Sequence, residues 1–191
     1  MENSYDTEYD GYYEQVYRNI NPNKTALILM DIWDTSKEAN DGWAKRHDTF
    51  VKESIVPLVK FARKNNILVI HASHDYKISD RIKVIEGEKI LSVGKWPRKL
   101  QTLYLYWYLM SNDIEHLIYA GNSTHKCVFF RPDGVYEMSK LLDDIIVIRD
   151  ATIAFEYHET REGEWAKNVF INLIEDQYGS STTLEDLQNA L

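Results

Sequence analysis

Short runs of consecutive apolar residues recur along this chain, and each leads into a polar residue or a glycine. Ala26-Leu27-Ile28-Leu29-Met30 runs into Asp31, Ile67-Leu68-Val69-Ile70 into His71, and Ile145-Ile146-Val147-Ile148 towards Asp150. His116-Leu117-Ile118-Tyr119-Ala120 ends at Gly121, and Lys89-Ile90-Leu91-Ser92-Val93 is a weaker run of the same kind. Apolar runs this short, without alternation, read as strands buried on both faces. Between them the spacing becomes helical. Val51, Ile55, Leu58, Val59 and Ala62 predict a helix over about 43–65 that stops at Asn65-Asn66. Leu100, Leu103, Tyr104 and Trp107 share one face of a helix over about 99–111, as a core or subunit-contact stripe. Pro132 interrupts a helical segment after Cys127, because it has no amide hydrogen to donate. A helix over about 162–177 closes at Gly179, and Thr182 with Glu185 reads as the capping box of a short last helix. Strands alternating with helices imply an α/β fold with a parallel sheet and right-handed crossovers.

A chain of 191 residues fits one domain. Residues 1–24 read as an acidic extension carrying Tyr5, Tyr9, Tyr12, Tyr13 and Tyr17, and residues 25–191 as the folded domain. The extension is either a solvated tail or a segment that docks on a neighbouring subunit, since a tyrosine ring is apolar while its hydroxyl tolerates water. The net charge of −8 repels phosphate backbones, which argues against nucleic acid as a partner. No apolar run approaches the roughly 20 residues that span a bilayer, and MENSYDTEYD is not a signal peptide. A single cysteine excludes an intrachain disulfide and suits a reducing cytoplasm. Neither the Rossmann nor the P-loop glycine signature occurs, so no nucleotide cofactor is indicated.

Open α/β sheets bind ligands beyond the carboxyl ends of their strands. That rule selects Asp31, then His71, His74 and Asp75, then Lys95, then Gly121 to Cys127, and finally Asp150. Cys127 stands near a helix start, after Gly121-Asn122-Ser123-Thr124, where free N–H groups favour a thiolate and can hold an oxyanion. A carboxylate such as Asp31 can take the thiol proton and pass it to a leaving amine, with a lysine keeping that carboxylate ionised. Position alone leaves a merely packed, buried cysteine equally open.

The same residues resemble a known family. Ala26 to Asp31 resembles the opening strand and aspartate of the isochorismatase-like cysteine hydrolases. Gly121-Asn122-Ser123-Thr124-His125-Lys126-Cys127-Val128 resembles their nucleophile segment, and Ile146 to Thr152 their following strand and Asp-Ala turn. The resemblance implies a three-layer, Rossmann-like fold with a six-stranded, mostly parallel sheet. It implies an Asp-Lys-Cys triad that hydrolyses C–N bonds of small amides, ureido acids and carbamoyl compounds, in a homodimer or homotetramer; no cofactor is expected for this chain. Carried over, Asp31 is the general base and Cys127 the nucleophile. Lys95 is the lysine, with Lys99 and Lys89 as alternatives. Ser123 and Cys127 supply the oxyanion-hole amides, beside a cis peptide at Asn122-Ser123. Vinyl ether hydrolysis of the isochorismatase kind is a further possibility, and so is a small-ligand binding or assembly protein with little catalysis.

The chain departs from nicotinamidase-like members at Ile32-Trp33, and Trp33 is expected to line the pocket. No nicotinamidase-type metal ligand set is evident; His71 and His74 read better as a satisfied histidine or a substrate contact than as ligands. His74, Trp33, Trp96 and Arg131 are the candidate substrate contacts. Arg131 either clamps a substrate carboxylate or forms an ion pair, and Trp96 with Phe129 forms either an aromatic wall or ordinary packing. His125 is not expected to form a dyad with Cys127, because neighbouring helical side chains diverge. Glu156, His158, Glu159, Glu162 and Glu164 read as a solvated helix start.

Overall fold

The computed structural model describes residues 17–35, 42–74, 77–92, 94 and 96–190. Six parallel strands form one sheet in the order β3-β2-β1-β4-β5-β6. They are β1 (Thr25–Met30), β2 (Leu68–Ser73), β3 (Lys89–Ser92), β4 (His116–Asn122), β5 (Asp144–Ile153) and β6 (Ser180–Thr182). The helices are α1 (Gly42–Phe50), α2 (Val56–Lys64), α3 (Arg98–Ser111), α4 (Val135–Met138), α5 (Trp165–Gln177) and α6 (Leu184–Ala190).

Alternate residues of each central strand feed two cores, one on each face of the sheet. Ala26, Ile28 and Met30 join Tyr119 and Val147 beneath α3, α4 and α5, through Leu105, Leu109, Val135, Met138, Ile171 and Ile174. Leu27, Leu29, Val69, Ile118 and Ile148 pack against α1, α2 and α6, through Val51, Ile55, Leu58, Ala62 and Leu187. The result is three layers, as expected, with β1 buried along its whole length.

Several local expectations need correction. The helix over 43–65 contains a wider π turn at Val51–Ile55, just ahead of Pro57, which has no N–H to continue the ordinary ladder. The Leu100, Leu103, Tyr104 and Trp107 stripe is exposed, so it is not core; Leu105 and Leu109, with Gln101 and Thr102, form the buried side of α3. Strand β5 runs on to Ile153, and Asp150 is drawn away to accept the Leu184 N–H at 2.9 Å, at the start of α6. The last capping pair is Thr183 with Asp186, one residue later than expected: Thr183 Oγ1 accepts the Asp186 N–H at 3.1 Å. Helix α5 starts at Trp165, after Glu164 in a left-handed conformation. Glu156 reaches back to cap it, accepting the Ala166 and Lys167 amides at 3.1 and 3.0 Å. Residues 1–16 of the tyrosine-rich extension lie outside the described residues; from residue 17 the chain leads through a turn at Pro22–Lys24 into β1.

Candidate active site

The order of the strands reverses at β1, which is flanked by β2 on one side and β4 on the other. Two crossovers leave the sheet there in opposite directions and open a crevice at the carboxyl ends. Gly121 makes the two strands meet closely. Its φ is +121°, and a Cβ there would lie 2.2 Å from the Met30 carbonyl oxygen, so only glycine fits. Beyond this contact, Asp31 emerges from β1 in a left-handed conformation with φ of 49°. That conformation is costly for a residue with a Cβ, at about 1–2 kcal/mol. It is held by the Asp31 N–H, which donates to the Ala72 carbonyl at 2.9 Å, and by the Trp33 N–H, which donates to the Asp31 carbonyl at 3.1 Å.

On the other side, β4 ends in a cis peptide at Asn122-Ser123 and continues into a single π turn, Thr124–Val128, that carries Cys127. Ser123 O accepts the Lys126 and Val128 amides, both at 3.0 Å, and Thr124 Oγ1 donates to the Ile153 carbonyl at 3.2 Å. The turn is thereby tied to β4 and β5 at once. Pro132 then breaks the helical path, and Gly134 folds so closely under the turn that a Cβ would lie 2.7 Å from Val128 O.

The Asp31 side chain is fully buried. Its Oδ1 accepts the His74 N–H at 3.2 Å, lies 3.3 Å from His74 Nδ1, and is 2.9 Å from Arg131 Nη1. Its Oδ2 is buried with no hydrogen-bond partner among the described residues. Cys127, half-buried, feels this carboxylate directly. Burial pushes its thiol up to about 12, the negative charge and hydrogen-bonding capacity of Asp31 add to the effect, and the Ser123 amide and Arg131 oppose it. The expectation of a resting thiolate is therefore corrected. A one-turn helix supplies little dipole, and a buried carboxylate beside the sulfur disfavours a second negative charge. The group at rest is a neutral thiol next to a buried carboxylate.

Arg131 is buried as well, and its guanidinium serves two carboxylates. Nε and Nη2 grip Asp133 at 3.0 and 2.7 Å, while Nη1 faces Asp31. The two carboxylates hold the guanidinium charged against the cost of its burial. Asp133 is fixed in turn: its carbonyl accepts the hydroxyl of fully buried Tyr119 at 2.7 Å, and Thr102 Oγ1 donates to the neighbouring Pro132 carbonyl at 2.7 Å. Of the alternatives open for Arg131, the ion pair within the fold is the one observed.

The remaining candidates fall into place around this centre. Trp33 is partly buried and stacks on His47 with centroids 6.0 Å apart. His47, which sequence reasoning passed over, is fully buried, and burial lowers its pKa against the opposing pull of the Asp31 backbone and carboxylate and of Asp48. A signal was available: His47 falls four residues before Val51, on the core side of an amphipathic helix. Trp96 is largely exposed just ahead of α3. Phe129 packs with Phe130, Tyr136, Phe170 and Tyr178, so it belongs to the core and not to an aromatic wall. His71 is buried against Glu88, 2.9 Å away, which also binds Arg63. His125 lies 3.1 Å from Ser123 Oγ and beside Phe170. Among the described residues, no group of three or more His, Cys, Asp and Glu side chains is placed to hold a metal. Asp75 and Lys95 lie outside the described residues. Of the alternative lysines, Lys89 sits over the rings of Tyr104 and Tyr108, and Lys99 is exposed on α3.

No protein-family model matches the chain, and no curated protein matches it by sequence. Solved structures do. A cysteine hydrolase from Pseudomonas syringae pv. phaseolicola 1448A is 17% identical, with a TM-score of 0.73 over 94% of this chain and 97% of that one. An isochorismatase family protein from Desulfovibrio vulgaris subsp. vulgaris str. Hildenborough is 15% identical, with a TM-score of 0.66 over 87% and 97%. The YcaC gene product of Escherichia coli, an octameric hydrolase of unknown specificity, is 14% identical, with a TM-score of 0.69 over 93% and 84%. At such identities the likeness is one of fold, and the fold is that of the isochorismatase-type hydrolases.

Proposed function

We propose that this chain is a cysteine hydrolase that cleaves the C–N bond of a small amide, ureide or carbamoyl compound. One observation carries the reading: the wholly buried Asp31 carboxylate stands beside the Cys127 thiol with one oxygen, Oδ2, left without a hydrogen-bond partner among the described residues. A neutral thiol beside a buried base suits a mechanism in which the proton moves only as sulfur attacks. Sulfur adds to the substrate carbonyl carbon while its proton passes to Asp31. The oxyanion is held by the Ser123 and Cys127 amides. Asp31 returns the proton to the leaving nitrogen, amine or ammonia departs, and water cleaves the thioester. The sequence resemblance assigns Lys95 the third place in the triad, and the reading of the residues makes Trp33, His74 and Trp96 substrate contacts, while Arg131 is taken up by its ion pairs with Asp31 and Asp133.

A panel of small amides and ureides scored for released ammonia tests this, with Cys127→Ala and Asp31→Asn as controls. Hydrolysis of at least one compound, lost in both variants, is expected; equal rates in Cys127→Ala would end the reading. The neutral thiol also gives weight to a second reading, a small-ligand binding protein on the same fold. Saturable binding of a panel compound without turnover would favour it.

The same reading takes the chain to work in the cytoplasm as a homodimer or homotetramer. The outward-facing Leu103, Tyr104 and Trp107 support assembly, since exposed apolar patches mark contact surfaces. Sedimentation at monomer mass across micromolar concentrations would remove that part. No helix among the described residues is long and apolar enough to cross a membrane.

A further inference from the structure

We infer that Arg131 is the positioning residue of this site: by binding Asp31 Oδ1 from a socket built by Asp133, it balances the charge of the buried carboxylate and fixes its orientation beside the thiol. The inference deepens the hydrolase reading and rests on it.

The geometry carries the argument in three steps. First, Asp31 has no access to water, so its charge must be balanced by protein groups. The cation that reaches it among the described residues is Arg131, at 2.9 Å, with His74 a weaker and more exposed neighbour at 3.3 Å. Second, Arg131 is not free to wander. Asp133 accepts from Nε and Nη2 together, a bidentate grip that leaves Nη1 as the projecting donor. Asp133 sits on the tight turn that follows the cysteine, anchored through Tyr119 and Thr102 in the core. Third, Nη1 selects one oxygen. With Oδ1 engaged by Arg131 and by the His74 amide, Oδ2 is the oxygen without a hydrogen-bond partner among the described residues. A lysine at this place would be a point charge, unable to hold Asp133 through a planar fork while reaching Asp31 in a fixed direction.

The pH profile of Cys127 alkylation by iodoacetamide tests this without a known substrate. The groups bearing on the thiol and carboxylate are Asp31, Arg131 and the Ser123 amide, with His74, His47 and Asp133 contributing from just past β2, from α1 and from the turn. One proton shared between Asp31 and Cys127 gives a rate that rises along an acid limb, as the pair loses its first proton, and is then level through neutrality. In Arg131→Gln the limb is expected to move up by at least one pH unit, which lowers the rate at a fixed pH on the limb about tenfold. Arg131→Lys, which keeps the charge but not the fork, is expected to return only part of that shift. If Arg131→Gln does not fold, Arg131→Gln with Asp133→Asn removes both charges of the socket and is read the same way. A folded variant without the arginine whose acid limb coincides with that of the unmodified protein overturns the inference. Asp31→Asn separates the two readings: if it leaves the level region intact, Asp31 is not the base and the hydrolase mechanism fails, whatever Arg131 does.

Discussion

Gly121 on β4 lies against Met30 on β1 so closely that the place of its missing Cβ is 2.2 Å from the Met30 carbonyl oxygen. That contact sets how near the two strand ends come, and therefore how near Asp31 comes to Cys127. Gly121→Ala must push the strands apart and also strain a φ of +121°. A loss of at least about 3 kcal/mol is expected from the combined clash and strain. Urea denaturation measures it. A variant as stable as the unmodified protein would show that the strands can separate freely there.

The thiol makes stability depend on alkaline pH. An unfolded cysteine ionises near its ordinary value of 9.0, whereas Cys127 in the folded chain is pushed up to about 12. Between these values the unfolded chain has lost the proton and the folded chain retains it, so stability falls as pH rises through that window. The loss attributable to Cys127 reaches as much as about 4 kcal/mol. Thermal melts of the unmodified protein and Cys127→Ala from pH 8 to about 12 should diverge in slope. Parallel curves would mean that the sulfur ionises as it would in water.

His47 acts at the other end of the scale. Its folded pKa is lowered from 6.5, chiefly by burial. Below 6.5 the unfolded chain binds a proton that the folded imidazole resists, so stability is lost as pH falls from that value towards the lowered one. His47→Gln is expected to cost stability at neutral pH, through lost stacking on Trp33 and Trp43, and to flatten the acid side of the stability curve. A curve from pH 7 to about 5 that keeps its slope in the variant would assign the effect to another group.

Asp133 is the buried partner that Arg131 depends on. Asp133→Asn keeps the shape and removes the charge, and a loss of about 2–4 kcal/mol is expected. Adding Arg131→Gln should cost less than it does alone, because the second change then strands only Asp31 and not Asp133 as well. A coupling near zero in that double-mutant cycle would show that the two side chains do not support each other.

The architecture was legible because the central strands are buried on both faces and announce themselves as unbroken apolar runs. The strand-end positions of Asp31 and Cys127 were legible because they follow such runs. Other features depend on contacts between distant segments. Strand β6 is a polar Ser180–Thr182 segment that pairs only because Gly179 lets it approach Ile145. The outer side of α3 carries large apolar residues while Gln101 and Thr102 face inward, where Thr102 bonds to the Pro132 carbonyl. Periodicity ranks residues by hydrophobicity, so it marked this outer stripe as core or subunit contact and passed over the polar inner side. The thiol was misread for a similar reason: its place near a helix start favours ionisation, but a buried carboxylate from another strand dominates.

That carboxylate precedes the thiol by nearly a hundred residues, yet the strands that carry them are neighbours in the sheet. During folding the cysteine is an ordinary thiol until β1 and β4 have paired and the turn beyond β4 has closed. The carboxylate therefore bears on the sulfur only in the paired sheet, and parting these two strands removes its effect.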